Sequence, residues 1–184
     1  MQRIAYLAGA AAAVALLPFQ AHAAGFTLTS PDVHAGQTVA MTYVYGGCSG
    51  KNVSPALHWK DAPEGTRSFV VTLYDPDAPT GGGWWHWVVA NIPASVHGLP
   101  TGAGDPNGKG MPKHALELRN DFGANAYGGP CPPKGDPPHH YQFTVYALDV
   151  DKLPVKGTTP PDQLGFMVHM HMLAKATFTA LYGR

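Results

Sequence analysis

The sequence predicts a mainly β fold, an antiparallel Greek-key-type β-sandwich with a peripheral C-terminal helix. Three observations carry this expectation. Apolar residues recur with a period of two in short runs, Gly, Pro, Asn and Asp bound those runs, and one stretch alone carries a convincing helix signal. Strands that alternate in this way bury one face against a second layer, which makes a sandwich the natural architecture.

Strands are expected at 26–29, 38–44, 56–59, 68–74, 85–92, 116–118, 141–148 and 176–181, and residues 98–113 read as a long Gly- and Pro-rich loop. Pro160-Pro161-Asp162 can open the helix, with 164–175 carrying it, because a proline near the first turn lacks an N–H the helix would not use. No internal repeat or linker divides the chain, so residues 24–184 form one domain.

Residues 1–23 stand apart. Arg3 precedes an apolar run over 4–17, then Pro18, then Ala21-His22-Ala23. That run is too short for the roughly 20 residues of a membrane-spanning helix and suits a secretory signal peptide cleaved after Ala23. The expectation is a periplasmic or secreted protein with no integral membrane segment after cleavage. In an oxidising compartment Cys48 and Cys131, the two cysteines of the chain, are expected to pair.

Charge narrows the function. Twelve Lys+Arg balance 12 Asp+Glu among 184 residues, which removes the basic footprint of general nucleic-acid binding. Two clusters carry chemistry. In Asp75-Pro76-Asp77-Ala78-Pro79 followed by Trp84-Trp85-His86-Trp87, a strand ends, turns and restarts. A hairpin pairing 75 with 86, 73 with 88 and 71 with 90 would set a carboxylate beside an imidazole at the mouth of an apolar face. The carboxylate would favour imidazolium, which suits an anionic ligand.

The second cluster runs from Asn120 to Tyr141 and holds five prolines between 130 and 138. A stiff segment preorganises what it borders, and the N–H groups of Gly128 and Gly129 could hold an oxyanion. His139 and Tyr141 then project from one side of the strand that follows.

Asp75-Pro76-Asp77-Ala78-Pro79 with Trp85-His86-Trp87, and Tyr127-Gly128-Gly129-Pro130 with Pro132-Pro133-Lys134-Gly135 through Pro138-His139-His140-Tyr141, resemble the two signature regions of the phosphatidylethanolamine-binding protein family, also called the Raf kinase inhibitor protein family. An exported chain with two cysteines looks like its bacterial branch. The resemblance implies an antiparallel β-sandwich with a small pocket for phosphate-like groups, phosphorylethanolamine among them. By position it implies a ligand site of Asp75, Asp77, His86, Gly129, Pro130, His139 and Tyr141. His140 departs from the arginine usual in eukaryotic relatives, and the ending from Phe166 gives no basis for their C-terminal helix, so kinase regulation is not carried over.

Donors from two imidazoles, a phenol and glycine amides, with Asp75 beside them, suit a zwitterion. Phosphate-type ligands are then expected to bind more tightly at pH 5–6 than at pH 8. The alternatives are a hydrolase with an Asp75–His86 general base, for which no Gly-x-Ser-x-Gly elbow or free cysteine supplies a nucleophile, and an inhibitor or interaction module gripping a protein partner at the rim. No cofactor is expected. A metal site at His169-Met170-His171 is disfavoured, since helical positions two apart point in nearly opposite directions.

Overall fold

The computed structural model describes residues 25–107 and 110–184, and the expected signal peptide lies outside them. Two antiparallel sheets form the sandwich. The smaller contains β1 (Thr27–Thr29), β2 (Leu57–Lys60) and β5 (Gly98–Leu99), in the order β1-β2-β5. The larger contains β3 (Ser68–Asp75), β4 (Trp84–Pro93), β6 (Leu116–Glu117), β7 (His139–Leu148) and β8 (Met172–Tyr182), in the order β6-β4-β3-β7-β8. Helix α1 (Pro161–His171) lies at its periphery.

Strand β3 shows why the larger sheet is central. Its odd-numbered residues Phe69, Val71 and Leu73 enter the core between the sheets, with Leu57 and Trp59 from β2 and Phe143 and Val145 from β7. Val70 points the other way, into a second cluster with Val88, Leu148, Leu164 and Val168 beneath α1. Both faces are covered, so six successive residues of β3 are buried, Ser68 and Thr72 among them. Burying each large aliphatic side chain in such a core stabilises the fold by about 1.5–3 kcal/mol.

Three sequence expectations are corrected. Residues 38–44 make no extended strand. Thr38 forms an isolated bridge to Leu181, and the carbonyls of Met41, Thr42 and Val44 then accept N–H groups from Lys51, Val53 and Asn52 in an irregular loop. Alternation placed Val39 and Val44 in the core without requiring a ladder. Gly98–Leu99, read as loop, is a short strand against β2. The helix begins at Pro161 but ends at His171, because residues 172–182 pair along β7, with Tyr146 opposite Lys175 and Ala147 opposite Ala174. The helix-forming residues Met172, Leu173, Ala174 and Lys175 are drawn into the sheet by tertiary pairing, which routinely outweighs intrinsic propensity.

Cys48 and Cys131 form the expected disulfide, with Cα atoms 5.7 Å apart across 83 residues of chain. By the chain-entropy relation, closing that loop disfavours the unfolded state by about 4.5 kcal/mol. It ties a short 3-10 turn at Gly46–Cys48 to the proline-rich segment that precedes β7.

Candidate functional site

The hairpin of β3 and β4 places the first half of the site, in a register the sequence did not predict. Asp75 pairs with Trp84, Tyr74 with Trp85, and Leu73 with Trp87. His86 is therefore the extra residue of a β-bulge, and the expected 75–86, 73–88 and 71–90 pairings are corrected. A bulge breaks strict alternation and re-aims a side chain. Here the neighbours His86 and Trp87 both turn to the inter-sheet core, with ring centroids 5.2 Å from Tyr141 and 5.6 Å from Tyr127 respectively.

Asp75 is the hub. It is 2% exposed, and its Oδ2 accepts a hydrogen bond from His139 Nδ1 at 2.8 Å while Oδ1 accepts the Asp77 N–H at 2.9 Å. His86 Nε2 stands 4.0 Å from Asp75 Oδ2, outside hydrogen-bonding range. The carboxylate thus fixes His139, on the neighbouring strand β7, rather than the imidazole expected across the hairpin.

His86 is fixed from the other side. Its Nδ1 faces the carbonyl oxygens of Gly128 and Gly129 at 2.8 and 3.1 Å. Carbonyls only accept, so Nδ1 is the protonated nitrogen of the ring and Nε2 carries the lone pair. Burial lowers the His86 pKa from 6.5 to about 4, against the opposing pull of the two carbonyls and the Asp75 charge. The imidazolium expected from the sequence is corrected, because desolvation outweighs the carboxylate and leaves His86 neutral near pH 7.

The glycine amides are also committed. Gly128 N–H donates to the His86 carbonyl at 2.9 Å and Gly129 N–H to Asn52 Oδ1 at 2.8 Å, so neither is left for an oxyanion. Their contribution is to aim carbonyls at His86. Asn120 reinforces the arrangement by donating from Nδ2 to the carbonyls of His86 and Ala126, and Asn52 Nδ2 donates to the Tyr127 carbonyl. Neither asparagine was singled out from the sequence. Their long-range bonds leave no periodic signature, although Asn120 does open the second cluster.

Asp75, His86 and His139 converge on a cavity of about 180 Å³ walled by Trp84, Phe122 and the Pro132–Pro133 pair. Phe122 was not assigned a role from sequence; its ring stacks on Tyr45 at 4.2 Å and meets His86 edge-on at 5.3 Å. Tyr141 lies fully buried behind the imidazoles, and its hydroxyl makes no regular hydrogen bond. Burial and the nearby Asp75 charge hold its pKa well above the ordinary phenol value, so it remains a neutral donor.

Asp77, Gly129 and Pro130 stand outside the cavity lining. Asp77 Oδ2 accepts both the backbone N–H and Nδ1 of His140 at 2.7 Å, clasping the turn to the start of β7. Burial opposes its ionisation, but those His140 hydrogen bonds prevail and lower its pKa. The Pro130 carbonyl accepts from Tyr45 N–H. A second cavity of about 190 Å³ lies beneath α1 among Val70, Val88, Leu164 and Val168, and no carboxylate lines it. The convergence of titratable groups singles out the first cavity as the candidate site.

His171, proposed from sequence as an unsuitable metal ligand, instead pairs through Nδ1 with Asp149 Oδ1 at 2.9 Å. No described helix is long and apolar enough to cross a membrane.

An antiparallel sandwich with an acid–imidazole pocket at one end of its central sheet agrees with a family comparison. The model of the phosphatidylethanolamine-binding protein family matches residues 29–183, and the chain belongs to that family. It is 48% identical over 171 residues to the UPF0098 protein YbcL of Escherichia coli (strain K12), covering 92% of this chain and 93% of YbcL. The UPF0098 protein YbhB of the same organism is also 48% identical, over 157 residues that cover 84% of this chain and 98% of YbhB. The crystal structure of E. coli YbcL, described as a new member of the mammalian PEBP family, matches with a TM-score of 0.85 over 88% of this chain and 99% of that one. CT736 of Chlamydia trachomatis, described as a putative PEBP homolog, is 31% identical with a TM-score of 0.73, over 87% of this chain and 98% of its own.

Proposed function

We propose that this protein is an exported binding protein whose pocket at Asp75, His86 and His139 receives the head group of a phosphate-like or phosphorylethanolamine-type ligand. The observation that carries the reading is the convergence of these three buried side chains from β3, β4 and β7 on one cavity. A buried carboxylate and two oriented imidazoles are costly to keep in a core unless they are held in place and used. Trp84 and Phe122 line the same cavity, where an aromatic face turned to the ammonium end of a zwitterion would add a cation–π contact worth about 0.5–2 kcal/mol.

Titrating phosphorylethanolamine into the protein and following the amide resonances of residues 75–86 and 128–141 tests the site. Saturable shifts confined to those stretches support it. The absence of shifts, or shifts centred on α1, overturns it. Export rests on the apolar run over 4–17 and the Ala21-His22-Ala23 cleavage pattern. Expression with the native N-terminus followed by intact-mass measurement is expected to yield a chain beginning at Ala24 in the exported fraction; an unprocessed chain retained in the cytoplasm counts against it.

A further inference from the structure

Helix α1 does not close over the outer face of the larger sheet. Leu164 and Val168, one turn apart, join Val70 and Val88 in the second apolar cluster, yet a cavity of about 190 Å³ remains between helix and strands. Gly165 stands at its wall, and a Cβ built there would meet nothing within 4 Å. Glycine in a helix interior is less stable than alanine would be, so this open space comes at a cost.

Strand register orders the floor of the cavity. Val70 of β3 faces Tyr146 of β7, which faces Lys175 of β8; in the next row Val88 of β4 faces Thr72, which faces Thr144. Residues two apart share a face, so the floor changes from aliphatic at β4 and β3 to a phenol and an ammonium at β8, the edge strand. Lys175 makes no ion pair among the described residues, and Asp149, at the C-terminal end of α1, is bonded to His171 instead. Thr72 is 5% exposed and lines the cavity, and its hydroxyl makes no hydrogen bond among the described residues. A hydroxyl so buried calls for a water or a ligand as partner. At the other end of the helix Asp162 accepts the Trp85 Nε1–H at 3.3 Å, which disfavours a second negative group there.

We propose that this cavity is a second ligand site, for a medium-chain alkyl carboxylate whose chain lies beneath α1 against Val70, Val88, Leu164 and Val168 and whose carboxylate pairs with Lys175 at the β8 edge. The Thr72 hydroxyl is left to the ligand or to a water bound with it. An apolar cavity of about 150 Å³ holds benzene, so this one suits an apolar body of about six to eight carbons. Burial of the chain supplies affinity and the ammonium supplies orientation. The site is independent of the head-group pocket, since Asp75, His86 and His139 line no part of it.

The test is NMR titration of the full chain with three probes that share one tail: octanoate, 1-octanol and octylammonium. Octanoate is expected to give saturable shifts over residues 161–175 and at 70, 72 and 146, and to bind about three- to tenfold more tightly than 1-octanol, with octylammonium the weakest. Lys175→Gln, a change at an exposed side chain, should lower octanoate to the level of 1-octanol while leaving 1-octanol binding and the unfolding midpoint unchanged. Gly165→Leu, which fills the open space on α1, should weaken both. Octanoate and 1-octanol binding alike, or octanoate indifferent to Lys175→Gln, overturns the carboxylate assignment. Octanoate indifferent to Gly165→Leu, shifts confined to residues 75–86 and 128–141, or no saturable binding by any probe overturns the site itself. Should Gly165→Leu fail to fold, the Lys175→Gln comparison and the location of the shifts decide alone.

Discussion

The Oδ2 atom of Asp75 holds Nδ1 of His139 at 2.8 Å although 64 residues separate them in the chain. Both residues are almost fully buried, so this bond joins β3 to β7 where neither group can turn to water instead. Replacing Asp75 with alanine leaves the His139 Nδ1–H and the Asp77 N–H without their acceptor. The expected loss is about 2–4 kcal/mol of unfolding free energy by urea titration, with ligand affinity falling as well. Asp75→Asn retains an acceptor oxygen and should lose less stability while still losing affinity. An alanine variant with an unchanged unfolding midpoint would mean that water or another side chain satisfies His139.

His86 makes stability depend on pH in a known direction. Its folded pKa lies near about 4, against 6.5 for the unperturbed side chain, with burial as the main cause. Between those values the unfolded chain binds a proton that the folded chain does not, so this group's contribution is full above pH 6.5 and declines as pH falls through about 4. The decline is on the order of 3 kcal/mol. His86→Gln removes the titration. The stability of the wild type relative to the variant should fall between pH 7 and pH 4, and a constant difference across that range would show that His86 does not remain neutral in the fold.

Glu117 slopes the opposite way. It is partly buried at the end of β6, accepts the Trp87 Nε1–H at 2.6 Å, and has a pKa raised from 4.5 to about 7. Burial is the largest cause; the Trp87 hydrogen bond opposes it, and the charge on Asp105 adds to it. The folded state here holds the extra proton, so the destabilisation is absent below pH 4.5 and complete above pH 7. Because solvent reaches this partly buried carboxyl and screens it, the effect is on the order of 1–2 kcal/mol. Glu117→Gln keeps an acceptor for Trp87 and is expected to be more stable than wild type at pH 8 but not at pH 4. Thermal unfolding at the two pH values checks this, and equal gains at both would assign the effect to packing instead of charge.

Much of the site could be read from residue type and order, and what could not has two physical origins. Strands β3, β4 and β7 fell within one or two residues of the expected bounds, and Asp75, His86 and His139 do meet. Strand periodicity, however, counts residues and cannot see a bulge, so the phase slipped at His86. That slip hid the true partner of Asp75. Backbone hydrogen bonding was equally invisible. Gly128 and Gly129 were expected to offer their amides to an oxyanion, yet those amides and the glycine carbonyls bond to Asn52 and His86, in a segment that the disulfide at Cys131 ties to the Gly46–Cys48 turn.

Gly129 shows how closely that segment is held. A Cβ built on it would stand 2.1 Å from the Tyr43 carbonyl oxygen and 2.6 Å from the Tyr45 nitrogen, both backbone atoms. A Cβ on Gly128 would instead meet the ring of Phe122 at 2.5 Å, and a side chain can rotate where backbone cannot. Gly129→Ala must therefore push two backbone strips apart while Pro130 and the Cys48–Cys131 bridge resist the movement. The expected cost is about 2–4 kcal/mol, larger than for Gly128→Ala. The displacement also withdraws a carbonyl from His86 Nδ1, which loosens the tautomer that leaves Nε2 open. Gly129→Ala should accordingly lower both the urea midpoint and the affinity for phosphorylethanolamine, whereas Gly128→Ala should chiefly disturb Phe122. If the two variants proved equally stable, the close approach of Gly129 to the Tyr43 carbonyl would not be what excludes a side chain there.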